Sequence, residues 1–199
     1  MTIYAIFDTE TIGQSARQVY DLAGILYNSE TDSIVESFEC RILESLLIPF
    51  AHNESFHSKH FENSKCFESI LPFHKAIEGL KAIATKADVI TAFNLPFDLS
   101  ALRSTAEKVG YDKFNLWPDN SRFSCLMSLS IGNLCQSEQY DLFCRQTNSI
   151  TETGNIRHNA ETIVSYCRAG EPFKTEHTAL ADCINQLDIL KALIDINAI

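Results

Sequence analysis

Residues 3–10 read IYAIFDTE, an apolar run that ends in two carboxylates two positions apart. The run is rich in β-branched and aromatic residues, which indicates a strand covered on both faces. Because alternate residues of a strand point to the same face, Asp8 and Glu10 are predicted to project side by side from its C-terminal end. Two like charges this close repel each other unless water surrounds them, one is protonated or a cation lies between them. This stretch alone does not distinguish a solvated strand end from a cation site.

The composition is that of a globular chain, with 199 residues, 45% hydrophobic and 21% charged. It predicts one domain over residues 1–199, with an α/β pattern of interleaved strands and helices. The sequence has no apolar run of about 18 residues and no signal-peptide pattern at its start, so we expect a cytoplasmic protein with no membrane partner. The seven cysteines are scattered without a CxxC pair, which predicts mostly reduced core residues.

The net charge of −10 argues against a protein that coats long stretches of nucleic acid, because such binding depends on many Lys and Arg contacts to phosphate. It does not exclude a nuclease. An enzyme that grips a few nucleotides needs few phosphate contacts, and metal ions can supply positive charge at the reacting group.

Hydrophobic periodicity and turn residues divide the chain into strands and helices. After the first strand, the predicted strands cover residues 21–27, 34–43, 88–93 and 123–129, the first two forming a hairpin. The predicted helices cover residues 74–87, 99–109, 159–169 and 179–194. The apolar face of the last helix is predicted to consist of Leu180, Ile184, Leu187, Leu190 and either Leu193 or Ile194. Residues 45–72 are predicted to be mostly loop with a short helix over 58–68, and residues 133–157 to be loop with one helical turn at most.

Two further polar motifs accompany predicted helix starts. Asn94 and Asp98 bracket Pro96, which suits the first turn of a helix, so Asp98 is expected in that turn. Asn94 either positions the loop by hydrogen bonds or simply forms a local turn. His177 and Asp182 lie on either side of the start of the last helix and could face one pocket, although for this motif alone a helix cap and a surface acid are the simpler explanation.

Taken together, FDTET at residues 7–11, N-x-x-x-D at 94–98 and H-x-A-x-x-D at 177–182 resemble the three exonuclease motifs of the DEDD superfamily. The histidine places the resemblance in the DEDDh branch, also called DnaQ-like. That family has a ribonuclease-H-like fold, a mixed five-stranded sheet flanked by helices. Residues 159–182 also resemble the C-terminal part of compact stand-alone bacteriophage exonucleases, which would place such an enzyme in the host cytoplasm.

The resemblance implies a metal-dependent 3'-5' exonuclease. Asp8, Glu10 and Asp182 resemble ligands of two Mg²⁺ or Mn²⁺ ions, and Asp98 resembles a fourth acid that acts on the second ion through water. His177 would be the general base in a two-metal hydrolysis of phosphodiester bonds at the 3' end of single-stranded DNA or RNA, with nucleoside 5'-monophosphates as products.

The resemblance also suggests substrate contacts. Thr11 and Ile12 are expected against the terminal sugar and base together with Thr9, and Asn94 would border the same site. Phe97 is either a core residue or a stacking surface. Ile12 and Phe93 stand where many relatives have other residues, which leaves the substrate preference open.

Other functions remain in view at this stage. The same chemistry would serve a hydrolase of short oligonucleotides or small nucleotides, and the fold also occurs as a proofreading or accessory module beside a polymerase. A homodimer is a further candidate assembly. His52, His57 and His60, with Cys66, form either a polar loop or a zinc site, although their spacing fits no standard zinc pattern.

Overall fold

The computed structural model describes residues 2–12, 18–48, 67, 69–171 and 176–199, which form a mixed six-stranded sheet. Its strands are β1 (Ile3–Ile12), β2 (Gln18–Asn28), β3 (Ser33–Ile42), β4 (Ile70–Leu71), β5 (Val89–Ala92) and β6 (Phe123–Cys125), in the order β4-β3-β2-β1-β5-β6. β2 is antiparallel to β1 and β3, whereas β5 is parallel to β1 and β6. The expected α/β class with a mixed sheet is confirmed. The strand beyond the five expected is β4, only two residues long at one edge.

Helices cover both faces of this sheet. In the described part of the chain they are α1 (Leu43–Leu46), α2 (Phe73–Ala84), α3 (Leu95–Val109), α4 (Leu126–Asn133), α5 (Glu138–Gln146), α6 (Ala160–Cys167) and α7 (Ala179–Asp195). α2 and α3 contribute to the core on one face, and α6 and α7 to the core on the other. Among these helices, none is long and apolar enough to cross a membrane.

β1 lies between the two cores and alternates between them. Ala5 and Phe7 belong to the core on the α2 and α3 side, whereas Tyr4 and Ile6 belong to the core on the α6 and α7 side. The apolar run is therefore covered on both faces, as expected. Asp8 and Glu10 continue the second set and point to the face that carries α7.

The helix that follows β5 matches its sequence signals. Asn94 precedes α3, Pro96 lies in its first turn and Asp98 follows in the same turn. Gly110 ends the helix in the left-handed conformation, with φ of 73°, and the Tyr111 N–H closes the end on the Ala106 carbonyl at 2.9 Å.

Two predictions for the middle of the chain are wrong. The strand over 123–129 ends at Cys125, and α4 begins at Leu126, because a short apolar run suits either a strand or a helix and burial of Leu126 and Ser130 four positions apart favours the helix. Residues 133–157 contain a full helix, α5, where the prediction allowed one turn at most. Its buried face consists of Tyr140 and Cys144, too few apolar residues for a clear period.

The last helix has the predicted extent, and its predicted leucines Leu187 and Leu190 are buried, whereas the placement of Ile184 on the buried face is wrong. Ile184 is 45% exposed, whereas Cys183 and Gln186 are buried together with Leu187, Leu190 and Leu193. The face is rotated toward positions that the apolar pattern alone did not indicate. It thereby brings a glutamine into the interior.

Several predictions lie outside the described residues. They are the short helix over 58–68, apart from residue 67, and the candidate zinc residues His52, His57, His60 and Cys66. The six cysteines in the described part of the chain form no disulfide, and Cys40, Cys144 and Cys183 are buried in the core.

Candidate active site

Two carboxylates of β1 and one of α7 meet at one end of the sheet. Oxygen atoms of Asp8, Glu10 and Asp182 lie within 4.8 Å of one another. Two ligands on opposite sides of one Mg²⁺ ion are about 4 Å apart, so the three side chains need only small adjustments to share a cation. All three are partly exposed, and an ion could therefore reach them.

The start of α7 fixes the position of Asp182 and of His177. The Thr178 hydroxyl oxygen accepts a hydrogen bond from the Ala181 N–H at 3.2 Å, and Asp21 Oδ2 accepts one from the Ala179 N–H at 3.2 Å. His177 precedes this cap with φ of 54°, in the left-handed region that residues other than glycine rarely adopt. Thr178 thus caps the helix, and Asp21 on β2 holds its first turn against the sheet.

Asp98 approaches the same place from α3. It is 4% exposed, and its Oδ1 accepts a hydrogen bond from the Thr9 hydroxyl at 2.7 Å. Burial raises the pKa of Asp98 to about 7, against the opposing effect of the Thr9 hydrogen bond. Thr9 therefore orients the carboxylate and also favours its charged form.

All five residues of the predicted catalytic set line one pocket of about 320 Å³. The pocket is completed by Thr9, Phe93, Asn94, Phe97, Asn159, Ala160, Glu161, Val164, Asn185 and Gln186. Within the described residues, its lining contains five carboxylates and neither lysine nor arginine. Such a site repels anions and attracts cations.

Burial and neighbouring carboxylates oppose the ionisation of Asp8 and Glu10. Burial, followed by the negative charges of Asp98, Asp182 and Glu10, raises the pKa of Asp8 well above its usual range. Burial and the charge of Asp182 raise the pKa of Glu10 to about 8, although Arg41 acts in the opposite direction. A divalent cation among them would remove most of this repulsion.

The predicted substrate contacts divide into two groups. Thr9, Asn94 and Phe97 line the pocket, whereas Thr11 and Ile12 are not among its described lining residues. Ile12 is 3% exposed and packs with Tyr20, Leu46 and Ile48. The pocket places Phe97 where it can meet a ligand. Contacts from Thr11 and Ile12 stay predictions.

The sequence interpretation missed the wall contributed by α6 and the second turn of α7. Asn159 caps α6, with its Oδ1 accepting from the Thr162 N–H at 3.3 Å, and Glu161 follows at the rim. Asn185 and Gln186 come one turn after Asp182 on α7. That helical spacing is a signal that could have identified Gln186, since residues four apart share a helix face.

Gln186 connects three segments of the site. Its Nε2 donates a hydrogen bond to Asp8 Oδ1 at 2.7 Å, and its Oε1 accepts one from the Phe93 N–H at 2.9 Å. The side chain thus spans from α7 to β1 and to the residue that precedes Asn94.

Comparison with known proteins gives structural matches only. No protein-family model matches the sequence, and no curated protein matches it. The structure is similar to cell-death related nuclease 4 (CRN-4), with a TM-score of 0.62, 15% identity, and coverage of 98% of this chain and 64% of that one. It is similar to E. coli Exonuclease I in complex with a dA16 oligonucleotide, with a TM-score of 0.62, 17% identity, and coverage of 98% and 41%.

A third similar structure is the nuclease domain of 3'hExo, a DEDDh family member bound to rAMP, with a TM-score of 0.63, 13% identity, and coverage of 99% of this chain and 94% of that one. The chain therefore spans less than two thirds of CRN-4 and of Exonuclease I, but nearly all of the 3'hExo domain. At these identities the matches show the fold alone, which this chain shares with the three nucleases.

Proposed function

We propose that this chain is a metal-dependent 3'-5' exonuclease that removes nucleoside 5'-monophosphates from single-stranded DNA or RNA. One observation carries the proposal: Asp8, Glu10, Asp98, His177 and Asp182 come from three separated segments and line a single pocket. The fold also supports the proposal, because the sequence motifs resemble those of exonucleases that have this fold.

The donor set fits divalent cations. Asp8, Glu10 and Asp182 would hold Mg²⁺ or Mn²⁺ in a two-ion site, and Asp98 would act on the second ion through water. Clustered carboxylate oxygens are hard ligands, which suit these ions better than the nitrogen and sulfur ligands that zinc prefers. When bound, such ions neutralise charge at the reacting phosphate and activate water.

His177 would accept the proton of the attacking water on an imidazole nitrogen. It lies at the pocket, beside the capped start of α7, and an imidazole is suited to proton transfer near neutral pH. Its backbone conformation and the Asp21 and Thr178 bonds to the helix start hold it in place.

The pocket suits the end of a nucleic-acid chain as its substrate. A volume of about 320 Å³ suits one nucleotide, and the walls combine the amides of Asn94, Asn159 and Asn185 with the apolar surfaces of Phe93 and Phe97. Since the described lining holds neither lysine nor arginine, binding of a phosphate here would depend mainly on the metal ions.

A cleavage assay tests the proposal. We expect 5'-labelled single-stranded DNA or RNA to shorten stepwise from the 3' end with Mg²⁺ or Mn²⁺ and to remain intact with EDTA. Asp8→Asn should reduce cleavage to background, because it removes a charge that the metal requires. Asp119→Asn, a change at an exposed residue that does not line the pocket, is the matched control.

Three other outcomes of this assay would contradict the proposal. Immediate release of the labelled mononucleotide would indicate attack from the 5' end, and full activity of Asp8→Asn would overturn the metal assignment. Cleavage of dinucleotides without any ladder on longer strands would instead indicate a hydrolase of small nucleotides.

A further inference from the structure

We propose that Gln186 is a positioning residue that presents Asp8 to the metal ions while leaving the negative charge of the pocket intact. The inference rests on the proposed function and adds a residue that the sequence motifs do not contain. Gln186 is 3% exposed, and both of its amide atoms have partners, Asp8 at 2.7 Å and the Phe93 N–H at 2.9 Å.

The orientation of the amide follows from its partners. A backbone N–H can only donate, so the Phe93 N–H requires the oxygen of Gln186 to face it. The nitrogen of the amide consequently faces Asp8 and can only donate. Asp8 Oδ1 must therefore be an acceptor, a role that either oxygen of an ionised carboxylate can fill.

The hydrogen bond from Gln186 restrains Asp8, one of the proposed metal ligands. A hydrogen bond to Oδ1 limits rotation of the Asp8 carboxylate and orients its other oxygen. Partners of this kind commonly set the orientation of metal ligands and change metal affinity by about 10- to 100-fold when they are removed. Gln186 is well suited to the role because it shares α7 with Asp182, one helical turn away.

The choice of a neutral donor matters in this pocket. A lysine or arginine bonded to Asp8 would supply the positive charge that the ions are expected to bring, and would compete with them. An amide donates the same kind of hydrogen bond without neutralising the carboxylates. The absence of lysine and arginine from the described lining is consistent with that division of roles.

Gln186 also couples Asp8 to the segment that carries Asp98. Phe93 directly precedes Asn94 and α3, and its carbonyl accepts a hydrogen bond from the Met127 N–H at 2.9 Å. The Phe93 residue is thus held from α7 through its N–H and from α4 through its carbonyl. Gln186 is thus a second link between β1 and the segment that leads to Asp98, beside the hydrogen bond from Thr9 to Asp98.

Two substitutions separate the two hydrogen bonds. Gln186→Glu keeps the shape and an acceptor for the Phe93 N–H but replaces the donor to Asp8 by a like charge. Gln186→Met keeps the approximate size, removes both bonds and adds no charge. We expect both variants to bind Mn²⁺ about 10- to 100-fold more weakly than the unaltered chain in calorimetric titrations.

The control is Gln139→Met, at an exposed position of α5 that does not line the pocket, and it should leave Mn²⁺ affinity unchanged. Cleavage by Gln186→Met should recover toward the normal maximal rate at saturating Mn²⁺, because the residue acts through Asp8 and both of its amide atoms are already bonded within the protein. Melting temperatures in EDTA measure any purely structural effect separately.

The possible failures are distinct. If both Gln186 variants bind Mn²⁺ as tightly as the unaltered chain, or if Gln186→Glu binds it more tightly while Gln186→Met is unaffected, the positioning role is wrong although the nuclease proposal stands. If the unaltered chain neither binds Mn²⁺ nor cleaves oligonucleotides, the proposed function itself fails.

Discussion

Asp21 and Glu10 are register partners on β2 and β1, yet their surroundings are opposite in character. Asp21 is fully buried, and the guanidinium of Arg41 on β3 donates to it at 2.6 Å. The same guanidinium lies 3.0 Å from Glu39 and 3.9 Å from the centre of the Phe67 ring. Glu10 instead faces the acidic pocket with Asp8 and Asp182.

Asp21 is a structural acid, whereas the pocket carboxylates lie where they could share an ion. The charge of Asp21 is paired with that of Arg41. Its second carboxylate oxygen accepts a hydrogen bond from the Ala179 N–H at the start of α7. In the pocket, burial and mutual repulsion raise the pKa values of Asp8 and Glu10. The fold therefore places a permanent cation on one side of β2, whereas the described lining of the pocket on the other side holds neither lysine nor arginine.

The largest expected effect comes from removing the permanent cation. Arg41→Met should lower the free energy of unfolding by roughly 3 to 5 kcal/mol, because it leaves the buried carboxylate of Asp21 without its arginine. Urea unfolding in EDTA measures the loss. Much of it should return in Arg41→Met combined with Asp21→Asn, which removes the charge but retains an acceptor for Ala179.

The matched control is Lys86→Met. Lys86 forms an ion pair with Glu36 in which both side chains are exposed, at 52% and 39%, so the expected loss is about 1 kcal/mol or less. An Arg41→Met variant no less stable than Lys86→Met would mean that the buried pair does not distinguish Asp21 from the pocket acids.

The raised pKa values of the pocket carboxyls predict an unusual pH dependence of the free energy of unfolding. The pKa of Glu10 is raised to about 8 and that of Asp98 to about 7, whereas unfolded carboxyls titrate near 4. Between about pH 4 and 8 the folded, metal-free protein binds more protons than the unfolded chain. These groups therefore lower the free energy of unfolding as the pH rises through this range.

Melting temperatures in EDTA between pH 5 and 8 measure this effect. Glu10→Gln should be more stable than the unaltered chain at pH 8, on the order of 2 kcal/mol after allowance for solvent screening, and the advantage should shrink toward pH 5. Mg²⁺ should stabilise the unaltered chain more at pH 8 than at pH 5. Glu161→Gln, at an exposed rim position, is the control. A Glu10→Gln advantage that does not depend on pH would contradict the expected repulsion.

The sequence predicted the part of the site that depends on local pattern. The strand of Asp8 and Glu10 and the helix starts near Asp98 and Asp182 follow from residue periodicity, Pro96 and turn signals. Each of these signals lies within a few residues of the side chain that it positions. The same reasoning gave the hairpin of β2 and β3, whereas the mixed character of the sheet followed only from the family resemblance.

What the sequence did not predict depends on long-range packing. Gln186 is buried because α7 rotates Cys183 and Gln186 inward and leaves Ile184 exposed, against the apolar pattern. The Asp21 to Ala179 bond joins residues 158 positions apart, and a buried aspartate within an apolar strand carries no local sign of its partner. α5 was missed because few apolar residues mark its buried face.

The smallest expected effect concerns the hydrogen bond between Thr9 and Asp98. Thr9→Val keeps the shape of the side chain and removes the hydroxyl that donates to Asp98 Oδ1 at 2.7 Å. Burial raises the pKa of Asp98 to about 7 even though Thr9 opposes the shift, so the loss should be about 1 kcal/mol at pH 8, where the carboxylate is charged, and smaller at pH 5. Thr85→Val removes an exposed hydroxyl that donates to the neutral carbonyl of Lys81, and its effect should not change with pH. If both substitutions show the same pH dependence, the Thr9 hydroxyl does not favour the charged form of Asp98, and the preparation of that carboxylate for a cation must come from elsewhere in the pocket.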